Sequence, residues 1–105
     1  MLLLFLLKEQ DRYAYELSKA LKARSLGLFD IQGPSLYTVL YRLQEKGFVS
    51  TRDEQAGKRI RVYYHILPAG EAYLERVIQE YRSVSEGIGA VLSCPSVIQE
   101  ERGDA

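Results

Sequence analysis

The chain has one cysteine, Cys94, and one histidine, His65, in 105 residues. A lone thiol excludes a disulfide framework and a thiolate metal cluster. It suits a reducing compartment, so the cytoplasm is the expected location and Cys94 is expected to be inert. His65 has no second histidine or cysteine near it, so no metal site is expected. Formal net charge is zero, with 14 basic and 14 acidic residues. That excludes a bulk attraction for nucleic acid and leaves only local charge to supply one. No apolar run approaches the about 20 residues of a spanning helix, so no membrane partner is expected. The opening MLLLFLL also lacks the basic n-region and small-residue cleavage site of a signal peptide. Its abrupt apolar start suggests native residues ahead of Met1. No carboxylate pair, nucleophile–base pair or glycine-rich phosphate loop stands at a usable spacing. Asp53 and Glu54 are adjacent acids beside a turn, without a partner. Neither enzyme activity nor a cofactor is expected.

What is present is an ordinary globular composition, 47% hydrophobic and 27% charged, in a length that holds one domain. The most ordered stretch is Gln32 to Val49. Pro34 suits a first helical turn, and Gly47 suits a helix end. Between them Leu36, Val39, Leu40 and Leu43 form one apolar stripe. The other face carries Thr38, Tyr41 and Glu45, flanked by Ser35, Tyr37 and Arg42. Two tyrosines on the polar face of a short helix suit a surface that touches something.

Two helices are expected ahead of this one. Met1 to Glu9 is apolar almost all round, so it should be buried on more than one side. A second helix should run from an Asp11 cap to about Ser25, with Ala14, Leu17, Ala20 and Leu21 inward and Gly27 as its stop. After Gly47 the period falls to two. Phe48 to Asp53 and Ile60 to Ile66 read as strands joined at Gln55–Lys58. Alternation puts Ile60, Val62, Tyr64 and Ile66 on a core face, and Arg59, Arg61, Tyr63 and His65 on an exposed one. Pro68 opens a last helix. In it Leu74, Val77, Ile78, Tyr81, Val84, Ile88 and Val91 recur at nearly 3.5-residue spacing, a coiled-coil-like seam that suits a second subunit.

This order is that of a winged helix-turn-helix, mainly α with a β-hairpin, followed by a dimerisation helix. Residues 1–67 would form the DNA-binding domain, 68–93 the dimerisation helix, and 94–105 a disordered tail. In such a domain the third helix reads the major groove, and Ser35, Tyr37, Thr38, Tyr41 and Arg42 carry groups that reach base edges or phosphates. Lys58, Arg59 and Arg61 supply point charges from the wing, and Tyr15 a hydroxyl from the second helix. The alternative to DNA contact is packing for Tyr37 and Tyr41, an ion pair with Glu45 or Glu16 for Arg42, and a solvated hairpin for the wing. Leu3, Leu4 and Leu7 join the seam as expected interface residues. The rival function is a winged helix that binds protein. That would place an apolar patch on the third helix, where this chain has hydroxyls and Arg42.

Tyr-Glu-Leu at Tyr15–Leu17, Ser-Leu-Tyr-x-x-Leu-Tyr-Arg-Leu-x-x-x-Gly at Ser35–Gly47, Arg-x-Tyr-Tyr at Arg61–Tyr64 and Ala-Gly at Ala69–Gly70 together resemble the PadR family of transcriptional regulators. The likeness covers the chain to about Leu92, in the manner of the subgroup with a single C-terminal helix. It implies a homodimeric repressor on an operator, with the last and first helices at the interface. It also implies release by a small hydrophobic or aromatic molecule, or by stress. With no tryptophan, Phe5 or Tyr81 would be the aromatic platform for such a molecule. Three positions depart from the family pattern: Ala14 replaces a glycine, Thr38 a proline and Leu67 a capping threonine. Thr38, on the groove side, bears on the operator sequence.

Overall fold

The computed structural model of the chain describes residues 1–93; the readings for Cys94 and the 94–105 tail lie outside them. The elements are α1 (Leu2–Glu9), β1 (Arg12–Tyr13), α2 (Ala14–Arg24), α3 (Pro34–Glu45), β2 (Val49–Ala56), β3 (Arg59–Ile66) and α4 (Pro68–Leu92). They fall into two compact units, Met1–Glu75 and the chain from Arg76 on. The three strands form one antiparallel sheet in the order β1-β3-β2.

The core of the first unit is built from leucines of every helix. Leu3, Leu4, Leu6 and Leu7 of α1, Leu17 and Leu21 of α2, Leu36 and Leu40 of α3, and Leu74 of α4 are buried together with Val49, Tyr64 and Ile66. This corrects one expectation. Leu3, Leu4, Leu7 and Leu74, expected at a subunit interface, are only 0–5% exposed and pack within the single chain instead. The outer side of α1 is instead Met1, Leu2 and Phe5, all exposed.

The second helix begins three residues later than Asp11. Arg12 and Tyr13 are held extended by pairing with Tyr64 and Tyr63 of β3. Tyr13 is then the N-cap residue, and its N–H donates to the Glu16 carboxylate at 3.3 Å. Asp11 bonds to the hairpin instead. At the other end Gly27, at φ 83°, takes part in the stop but is its second left-handed residue, not its first. The N–H of Gly27 bonds the Lys22 carbonyl and that of Leu26 the Ala23 carbonyl, which puts Leu26 in the left-handed position at φ 57°. A leucine there is strained, and its side chain is 95% exposed. Leu26→Gly is therefore expected to raise stability by about 1 kcal/mol. Urea unfolding checks this, and an unchanged midpoint would contradict it.

In α3 the expected punctuation holds. Pro34 occupies the first turn. At the far end Gly47, at φ 74°, bonds the Gln44 carbonyl and Phe48 bonds the Leu43 carbonyl, closing the helix. The apolar stripe is narrower than expected. Leu36 and Leu40 are buried and Leu43 half-buried, but Val39 is exposed.

The hairpin turns on two residues, since Ala56 pairs with Arg59 across Gly57 (φ 67°) and Lys58. The expected alternation of β3 holds only at its base, and Arg61 and Tyr63, expected on the exposed face, are half-buried. Tyr64 and Ile66 are buried, while Ile60 and Val62, expected in the core, are 63% and 41% exposed. The tip runs past the helices, so its inward face has nothing to pack on. In α4, Gly70 and Leu74 are buried, Val77 and Ile78 are half-buried, and Tyr81, Val84, Ile88 and Val91 are exposed.

Candidate nucleic-acid interface

The groove between wing and helices brings together four of the nine expected DNA-binding residues, Tyr15, Tyr37, Arg59 and Arg61, and not Ser35, Thr38, Tyr41, Arg42 or Lys58. It encloses about 590 Å³ and is walled by Tyr13, Ala14 and Tyr15 at the start of α2, by Tyr37 of α3, and by the β3 segment Arg59–Val62 with Tyr64. The extended Arg12–Tyr13 pair turns directly into α2, so Tyr15 falls in the first helical turn beside the wing. Tyr15, Tyr37 and Tyr41 are each more than half exposed. A phenol hydroxyl at such a site donates to a phosphate oxygen, and its ring packs on sugar.

The exposed face of α3 presents Ser35, Tyr37, Thr38, Tyr41 and Arg42. Two of their hydroxyl protons are committed within the helix. Thr38 donates to the Pro34 carbonyl at 2.9 Å, and Tyr41 donates to the Glu45 carboxylate at 2.9 Å. Thr38 therefore offers an acceptor oxygen and a methyl group rather than a donor. The methyl suits a thymine C5-methyl, and the Glu45 carboxylate suits a cytosine amino group. The Glu45 carboxylate accepts from Tyr41, and no ion pair joins it to Arg42.

On the wing, Lys58 and Arg59 are exposed. Arg61 is a different kind of group. Its guanidinium lies 4.5 Å above the Tyr13 ring and is half-buried, so it holds the wing to the start of α2 as well as lining the groove. Pairing with a ring leaves the charge in place, and Arg61 adds to the positive potential of the groove. Burial, and then the nearby Tyr37, push the Tyr64 phenol above its usual range, which keeps it protonated.

Four residues of this surface were not singled out from the sequence. Ile60 and Val62 line the groove because the wing outruns the core. Tyr13 lines it because β1 turns it there, and a two-residue strand carries no periodic signal. Lys19 stands 5.3 Å from the Tyr15 ring, one helical turn along α2, and that spacing was readable in advance.

Among the described residues, no cluster of three or more His, Cys, Asp or Glu is placed to hold a metal ion. No described helix is long and apolar enough to cross a membrane.

The fold and this surface define a winged helix-turn-helix protein. Residues 3–76 match the transcriptional regulator PadR-like family. A protein of Lysinibacillus sphaericus is 36% identical over 87 residues, which are 81% of this chain and 79% of that one. A transcriptional regulator from Clostridium thermocellum is 31% identical and superposes with a TM-score of 0.76, over 84% of this chain and 86% of that chain. The PadR of Bacillus subtilis, seen in complex with operator DNA, shares the fold at a TM-score of 0.65 and 21% identity, over 71% of this chain and 42% of its own. The chain belongs to the PadR-like family, whose members are transcriptional regulators and not enzymes.

Proposed function

We propose that this chain is a homodimeric repressor that binds a two-fold operator. Each α3 enters a major groove, and each wing grips the flanking backbone. The observation that carries this reading is the groove itself. A polar helix face and a basic wing tip stand on either side of a cleft walled by tyrosines. The complex of Bacillus subtilis PadR with operator DNA supports it by likeness of fold. Half-sites one turn apart would lie about 34 Å from each other, or a multiple of that.

Dimerisation is supported by the exposed stripe Tyr81, Val84, Ile88 and Val91 on α4, and by the exposed Met1, Leu2 and Phe5 on α1. Four such aliphatic and aromatic side chains on one helix are costly to leave in water. A releasing effector would be small and apolar or aromatic. A pocket of about 260 Å³, lined by Leu2, Phe5, Leu6, Leu21 and Phe29 with Arg24 and Ser25 at its polar side, has room for such a molecule beside the Phe5 ring.

The division of labour between wing and helix is the test. Arg59→Ala should weaken binding to the protein's own upstream DNA and to random duplex alike, by about tenfold each, and reduce the salt slope by about one contact. Thr38→Ala should leave random duplex unchanged and shift preference at one operator position by about 1 kcal/mol. Fluorescence anisotropy on both duplexes measures this. Equal losses for both variants on both duplexes would overturn the assignment.

A further inference from the structure

The link between α1 and α2 bears a cluster that DNA contact does not explain. Asp11 precedes β1 and reaches both strands of the wing. One carboxylate oxygen accepts from Arg52 of β2, and the other is 2.8 Å from Nδ1 of His65 on β3. Arg52 also donates twice to Glu54, at 3.0 and 3.1 Å, and lies 5.1 Å above the Tyr63 ring. Tyr63 in turn meets the edge of Tyr13, with centroids 5.4 Å apart. The backbone pairing that joins this link to the hairpin is only two residues long, Arg12 with Tyr64 and Tyr13 with Tyr63. Tyr13 is also the residue on which α2 begins.

We propose that Asp11 is a positioning residue that sets the angle of the wing against α2, and so aligns Lys58 and Arg59 with the phosphates beside the bases that α3 reads. The inference rests on the DNA-binding reading above. A two-residue strand pairing is a weak hinge, because β-pairs of that length have little stability of their own. One carboxylate bonded to both strands removes the twist that such a hinge would allow. Hydrogen bonds from His65 and Arg52 hold the Asp11 carboxyl below its usual range, so it stays ionised at neutral pH. Asp11 is an acid and repels phosphate, so removing its charge by itself favours DNA.

That last point makes the test sharp, because two accounts predict opposite signs. Asp11→Asn raises the net charge by one. If only electrostatics matters, DNA binding tightens. If Asp11 positions the wing, binding weakens although the charge has become more favourable. The experiment titrates wild type, Asp11→Asn, Arg52→Met and the double variant against a duplex from the protein's own upstream DNA and a random duplex, between about 50 and 200 mM salt. We expect Asp11→Asn to weaken binding to both duplexes by about fivefold to tenfold and to flatten the salt slope by about one contact. The double variant should lose less than the sum of the singles, since both break the Asp11–Arg52 contact. Unchanged or tighter binding for Asp11→Asn, or fully additive losses, overturns the proposal.

Hydrogen exchange of the free protein separates this from loss of DNA binding as such. Asp11→Asn should speed exchange in Ser50–Arg52 and Tyr63–His65 while the amides around Leu17 and Leu40 stay protected. Unchanged exchange in the hairpin also overturns the proposal. A wild-type chain that binds neither duplex sinks the DNA-binding reading, and the hairpin exchange then still decides whether Asp11 holds the wing.

Discussion

Ile88→Glu is expected to leave the chain monomeric at micromolar concentration, where the proposed wild-type state is a dimer, and to weaken operator binding by about a hundredfold or more. The size of the effect follows from symmetry. Ile88 is 55% exposed in the single chain, in a shallow apolar depression lined also by Val84, Gly87 and Val91. If a second copy covers it, the interface loses two isoleucines at once, about 1.5–3 kcal/mol each. It also gains two carboxylates that must be desolvated without a partner, a further cost of several kcal/mol. Folding of the first unit should be untouched, because Ile88 lies outside it and its side chain is solvated already. Sedimentation and urea unfolding together separate the two effects. A variant that still sediments as a dimer would show that this face of α4 is not the subunit contact.

The second large effect is expected at Gly70. Gly70→Ala should destabilise the protein by about 2–3 kcal/mol, although alanine is the better helix former by about 1 kcal/mol. A Cβ at this position would overlap the Phe48 carbonyl oxygen and lie 3.0 Å from Cγ1 of Ile66. Neither neighbour yields cheaply. The Phe48 carbonyl already accepts the Leu67 N–H at 2.9 Å, and the Phe48 ring stacks on Tyr73 with centroids 4.7 Å apart. Ile66 is buried in the sheet. Gly89 is the control within the same helix. A Cβ there meets nothing within 4 Å, so Gly89→Ala should be neutral or stabilising by up to about 1 kcal/mol. Opposite signs at two glycines of one helix, read from urea midpoints, are the expected result. A stabilised Gly70→Ala would show that α4 does not start flush against Phe48.

Much of this architecture was legible because the local signals agreed with the global fold. Pro34 and Gly47 bound α3 where their backbone chemistry requires, and Gly57 sits in the turn that the period change announces. The misreadings have physical causes. Asp11 looks like a helix cap by residue type, but a pairing partner more than fifty residues away, Tyr63–Tyr64, draws the next two residues into a strand. No local pattern reports that. Leu3, Leu4 and Leu7 look like an interface because a helix apolar all round has to be covered, and sequence does not say by which chain. Ile60 and Val62 obey the alternation of a core strand, yet alternation says which side a residue faces and not whether anything lies there. The candidate site was legible as a set of donors and cations. The partners that two of them take within the chain, Glu45 for Tyr41 and Tyr13 for Arg61, came only with the structure.

The most direct test of the central claim is one titration, followed by anisotropy with sedimentation of the same samples. It sets the protein's own upstream duplex against random duplex of equal length, across a salt series. The account predicts one dimer per site, binding its own DNA at least about a thousandfold more tightly than random DNA. It also predicts an affinity that falls linearly in log–log form with salt, at a modest slope set by the wing. Weak and equal binding to both duplexes, or a monomer at every concentration, would contradict it.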